Sequence, residues 1–216
     1  MKSDLYSRKW EKFLKRVRPF RFVPFVEFVL ASGSLATGKV HEGSDFDVMV
    51  GVRPGRIYTA RFFAIVIFEI FGYRRRVEDY RGDVSDKICL NHFVTNKRYK
   101  LEPPYSGSWE ELYRSLAPVM GDEEEMKRFF EANDWLVPKR IYEKDGRYLG
   151  NGKSILGRFL ERALSGGMGN SLERYLKRIQ VSRIERGLDK ALGYKGRVFW
   201  SDDELEFHPD RSKFEK

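Results

Sequence analysis

Ala31-Ser32-Gly33-Ser34 and, after ten intervening residues, Asp45-Phe46-Asp47-Val48-Met49-Val50 are the pieces of sequence on which the fold of this chain turns. The apolar run Val26–Ala31 is rich in β-formers and reads as a strand that leads into the Gly33-Ser34 turn. Residues 32–44, with Gly33, Gly38 and Gly43, read as a loop, and Phe46–Val52 as a second strand ended by Pro54 and Gly55. Side chains alternate along a strand, so residues two apart share a face. Asp45 and Asp47 therefore point one way, and Phe46 and Val48 point the other way into a core. Two adjacent carboxylates repel each other unless a cation lies between them. Mg²⁺ takes oxygen ligands, often one or two carboxylates together with phosphate oxygens. Gly33 leaves room for a phosphate near the backbone, Ser34 offers a hydroxyl and an N–H, and Ser44 stands next to the first carboxylate. Together they suit a triphosphate and its metal, the equipment for in-line displacement at phosphorus.

Outward from this stretch, residues 1–18 read as a basic amphipathic helix with Leu5, Trp10, Phe13, Leu14 and Val17 near one face, broken by Pro19 and Pro24. Ile57–Phe71 is apolar nearly all round, which predicts a buried helix stopped at Gly72. Lys87–Thr95 is a third strand, so the first 95 residues read helix–strand–loop–strand–helix–strand. Leu101–Ser108, with Pro103, Pro104 and Gly107, reads as a linker. Helices are expected at Trp109–Leu116, Asp122–Leu136, Lys153–Leu164 and Asn170–Leu192, with capping boxes at Asp122/Glu125 and Asn170/Glu173. The glycines from Gly166 to Gly169 read as a connector between the last two helices, and the tail from Ser201 as polar and charged. The fold class is thus α+β: a small mixed sheet with packed helices over residues 1–100, then a helical region over 101–216 that completes a cleft.

A net charge of +9 and a sequence pI near 9.5 favour anionic partners such as triphosphates or nucleic acid. Residues 1–21 carry eight Lys or Arg against two acidic residues, and residues 171–200 eight against three, so either could line an RNA-binding face. Arg74-Arg75-Arg76 could hold a triphosphate or polynucleotide, although a basic helix exit needs no ligand. The single cysteine, Cys89, excludes an internal disulfide framework and fits a reducing, cytoplasmic setting. No signal sequence is apparent, and no apolar run is long enough to span a bilayer. Three scattered histidines, His41, His92 and His208, do not make a zinc pattern.

The Gly33-Ser34 and Asp45-x-Asp47 elements resemble the signature of the DNA polymerase beta-like nucleotidyltransferase superfamily. That signature is an apolar residue, Gly and Gly or Ser, a spacer of about ten residues, then Asp-apolar-(Asp/Glu)-apolar. The resemblance covers residues 20–95. The whole chain is also similar to small bacterial and archaeal nucleotidyltransferase-domain proteins through Arg56-Ile57 and Thr59-Ala60-Arg61-Phe62. The similarity extends to Asp86–Phe93, Glu131-Ala132-Asn133 before Trp135, and Phe207-His208-Pro209. It implies that Gly33 and Ser34 hold a nucleoside triphosphate, and that Asp45 and Asp47 bind Mg²⁺ or Mn²⁺. A nucleoside monophosphate would pass to an acceptor hydroxyl, on RNA or another molecule.

One position departs from the pattern. The superfamily's third carboxylate is matched best by Asn91, which can offer an oxygen to a metal but cannot accept a proton. Asp86 begins the same strand at an odd offset and would face away from Asn91, as would His92. Two other classes therefore stand beside the enzyme: a nucleotide-binding regulatory module without catalysis, and a basic RNA-binding protein in which the aspartates are incidental.

Overall fold

The computed structural model describes residues 2–76, 83–101, 113, 115–136, 146–190 and 197–208. Most of the expected helix Trp109–Leu116 and of the expected linker lies outside them, as do Leu192, Pro209 and the side chain of His208. The described residues form an α+β structure with one six-stranded mixed sheet and six α-helices.

The elements are α1 (Lys2–Val17), β1 (Val26–Ala31), α2 (Gly33–Thr37), β2 (Phe46–Val52), α3 (Ile57–Ile70), β3 (Ile88–Thr95), β4 (Ala117–Gly121), α4 (Glu123–Glu131), α5 (Ile155–Ala163), α6 (Gly167–Lys190), β5 (Arg197–Trp200) and β6 (Glu204–His208). The sheet order is β4-β1-β2-β3-β6-β5. Among the described strands, only β2 and β3 pair in parallel, because α3 carries the chain back between them as a crossover. All other neighbours are antiparallel.

Alternation along the strands divides the core in two. On one face Val29, Phe46, Val48, Val50 and Phe93 pack with Trp10, Phe13 and Val17 of α1 and with Ala64 and Phe68 of α3. On the other, Phe28, Leu30, Met49 and Val94 pack with Met126 and Phe129 of α4 and with Tyr99 and Tyr113. Gly51 is needed here, since a Cβ would lie 2.3 Å from the Phe28 ring.

Several expectations change. The 32–44 loop contains the one-turn helix α2, ended by Gly38 at φ 79°. Helix α3 is buried along one side through Tyr58, Ala60, Ala64 and Phe68, but Phe62, Val66 and Ile70 reach solvent, so its apolar surface exceeds what the sheet and α6 cover. Residues 101–216 are not all helical: β4, β5 and β6 join the same sheet as the N-terminal strands. The polar tail becomes β6, where both faces are covered: Leu205 joins the first core cluster, while Glu204 and Glu206 are buried on the opposite side, Glu204 against His92. Asp122 caps α4 through the N–H groups of Glu124 and Glu125, one half of the expected capping box, while its own N–H donates to the Glu27 carbonyl and not to Glu125. Glu173 does not cap its own helix, because α6 already starts at Gly167. Its carboxylate instead accepts the N–H groups of Tyr58 and Thr59, at 2.9 and 2.8 Å, and so caps α3. Gly169 lets α6 abut the end of α5, where a Cβ would overlap the Leu164 carbonyl.

Candidate functional site

The site forms where β1 ends and β2 begins. The Ser32 N–H donates to the Asp47 carbonyl at 3.0 Å, which lays the Gly33 turn across the start of β2. Gly33 has φ 66°, a left-handed conformation that costs a residue with a Cβ about 1–2 kcal/mol. A Cβ there would also lie 2.4 Å from Asp47 Oδ2. Glycine is thus required twice, by the turn and by the carboxylate beneath it. Ser34 follows, partly exposed, and its carbonyl accepts the Lys39 N–H at 2.9 Å to close the turn.

Asp45 and Asp47 are both partly exposed, while Phe46 and Val48 are buried, as their alternation predicts. Parallel pairing sets Asp47 opposite Cys89. One donor atom from each of Asp45, Asp47 and Cys89 lies within 4.8 Å of the others. The Cys89 thiol is held well above its ordinary pKa, first by burial and then by the Asp47 and Asp45 charges, against an opposing pull from Arg75. It is therefore a neutral neighbour, and the carboxylates supply the hard oxygen donors that Mg²⁺ or Mn²⁺ prefers.

Asn91 reaches the same place, its Nδ2 donating to Asp47 Oδ1 at 3.5 Å. Its approach depends on a bulge: Asp47 pairs with Cys89 but Met49 pairs with His92, so β3 carries one extra residue. The bulge also corrects the expectation that His92 faces away from Asn91. The imidazole lies on the side of the second core cluster, with Nδ1 2.7 Å from the Tyr113 hydroxyl and Nε2 3.1 Å from Glu204. His92, Glu204 and Glu206 make a second, fully buried donor group that no sequence spacing announced.

Ser44, expected beside the triphosphate, braces the loop around the site. It is buried, its hydroxyl accepts the His41 N–H at 3.0 Å, and its carbonyl accepts the Asp86 N–H and the Lys9 ammonium. His41 itself is exposed on the loop. Asp86 is a buried anchor for α1, bound by Lys9 at 2.8 Å and by Lys12, while Arg16 donates to its carbonyl. Sequence reading offered Arg74-Arg75-Arg76 without singling one out, and Arg75 is the one that enters the site. Arg74 and Arg76 pair with Glu69, whereas Arg75 turns inward to Asp45 and lies 3.5 Å from the Cys89 sulfur. The triple-arginine run carried the signal, but not which of the three enters the site.

Among the described residues no helix is long and apolar enough to cross a membrane. Compared with family models, with curated proteins and with solved structures, the chain finds no match in any of the three.

Proposed function

We propose that this protein is a metal-dependent nucleotidyltransferase of the DNA polymerase beta-like type, acting on a nucleoside triphosphate and an acceptor hydroxyl. The observation that carries this reading is the close seating of Gly33 on Asp47, beside Asp45 and within reach of Asn91. It combines a glycine turn packed against one carboxylate with a second carboxylate already paired to a cation, Arg75. Asp45 and Asp47 would hold Mg²⁺ or Mn²⁺, which neutralises charge on a transferring phosphoryl group. Gly33 and Ser34 would border the triphosphate. The acceptor oxygen forms a bond to the α-phosphorus as the bond to pyrophosphate breaks. Asn91 orients Asp47 but takes no proton, so the acceptor's proton leaves to water or to the substrate itself. The proposal includes a division near residue 100 into a catalytic core and a part that completes the cleft. It also includes a cytoplasmic setting, supported by the single buried thiol, and RNA as one class of acceptor, supported by the basic balance.

Incubation with α-labelled nucleoside triphosphates, Mg²⁺ or Mn²⁺, total RNA and cell protein tests the reading. Label should enter a macromolecule with the wild-type chain and not with Asp45→Asn/Asp47→Asn. Retained metal-dependent nucleotide binding in that double variant would sink the assignment. Asn91 also favours a second reading, a module that binds nucleotide without transfer. It predicts binding that Asp45→Asn/Asp47→Asn abolishes, with no label moved by wild type.

A further inference from the structure

We infer that Arg75 is an exchangeable counter-ion of this site: it neutralises Asp45 when no metal is bound and moves to the triphosphate when metal and nucleotide enter together. The inference rests on the reading above. Three observations carry it. The guanidinium binds Asp45, one of the two proposed metal ligands, so Arg75 and a divalent cation compete for one carboxylate. Both side chains are only partly exposed, at 13% for Arg75 and 18% for Asp45, so the pair is weakly screened. The backbone behind the guanidinium is fixed. The Arg75 N–H donates to the Ile88 carbonyl at 2.9 Å and the Ile88 N–H to the Tyr73 carbonyl at 2.7 Å, which ties residues 73–75 to the start of β3. Exchange therefore requires only side-chain rotation. Glu69 binds both flanking arginines and keeps them from following.

A guanidinium suits this exchange because its planar fork matches carboxylate and phosphate oxygens alike. On Asp45 it opposes the metal, and on the triphosphate it adds to nucleotide binding. Removing it must therefore shift two affinities in opposite directions, which loss of a merely structural ion pair does not do. Arg75→Gln should bind Mg²⁺ alone at least about fivefold more tightly than wild type. At saturating Mg²⁺ it should bind ATP with a non-cleavable α,β linkage at least about fivefold more weakly. Arg75→Lys, a charged but unforked replacement, should shift both affinities in those same directions by less, and decides the sign should Arg75→Gln not fold. Calorimetric titration of the full chain reads both. If wild type binds metal and nucleotide but the variants change neither, or change both the same way, the exchange is overturned while the proposed function stands. If wild type binds neither, both fall together.

Discussion

At the residue scale the site is a set of short-range exclusions. Gly33 tolerates no side chain, because a Cβ would meet Asp47 Oδ2 at 2.4 Å and because φ is 66°. Gly33→Ala should lose about 1–3 kcal/mol in urea unfolding and should weaken metal-dependent nucleotide binding by about tenfold or more. Asn91 sits 3.5 Å from Asp47, so Asn91→Asp would bring a third carboxylate to a pair that Arg75 offsets through its bond to Asp45. That variant should melt lower than wild type in chelator, and Mg²⁺ or Mn²⁺ should raise its melting temperature by more than it raises that of wild type. A melting temperature indifferent to metal in both proteins would count against the site. Residues singled out by family resemblance also have local work. Asn133 is buried, accepts the Leu101 N–H and donates to the Tyr99 and Phe129 carbonyls, and Arg61 stacks on Phe207.

At the element scale, contacts between helices distant in sequence hold the scaffold. The first backbone N–H groups of a helix need acceptors, and α3 finds them in Glu173, on α6. Glu173→Ala should cost about 1–2 kcal/mol and Glu173→Gln less, by denaturant midpoint. Helix α1 is fastened to the site loop through Asp86. Burial works to raise the Asp86 pKa, and the hydrogen bonds and charges of Lys12 and Lys9 outweigh it, so the pKa is lowered. A carboxyl with a lowered folded pKa contributes stability that is present above its unfolded pKa and lost as pH falls through the folded value. Asp86→Asn should thus lose about 2 kcal/mol near neutrality, less than for a fully buried pair because Lys12 is half in water. The loss should shrink below about pH 4. Unfolding midpoints of both proteins across that range read the difference.

At the scale of the whole molecule, the sheet joins both ends of the chain. Strand β3 carries Asn91 and is flanked by β2 on one side and β6 on the other. The Tyr58 hydroxyl donates to the Ser201 carbonyl at 2.9 Å, and the Thr95 hydroxyl to Asp203 at 2.7 Å, so the C-terminal hairpin also ties to α3 and to the end of β3. A chain ended at residue 196 would leave β3 as an open edge. It should aggregate or lose cooperative unfolding, seen by size exclusion and by denaturant titration, even though the Asp45 and Asp47 motif is intact.

The sequence by itself determined the elements whose pattern is local. Strands β1, β2 and β3 and helix α1 follow from periodicity and turn residues. The shared direction of Asp45 and Asp47 follows from strand alternation, whereas the need for glycine at position 33 emerged from its left-handed φ and from Asp47 beneath it. Tertiary structure alone decided what depends on partners far along the chain. Polar residues of the tail became β6 because β3 supplied hydrogen bonds and covered Glu204 and Glu206. Glu173 left its own helix for α3 because α6 begins earlier than its capping pattern predicts. The bulge in β3 turned Asn91 and His92 to one side, a register choice imposed by the neighbouring strand. Arg75 was selected from three like residues because its backbone is pinned to Ile88 and its neighbours are bound by Glu69. Local pattern reports which backbone a segment prefers, while pairing between distant segments is a property of the assembled sheet and is written in no single window of sequence.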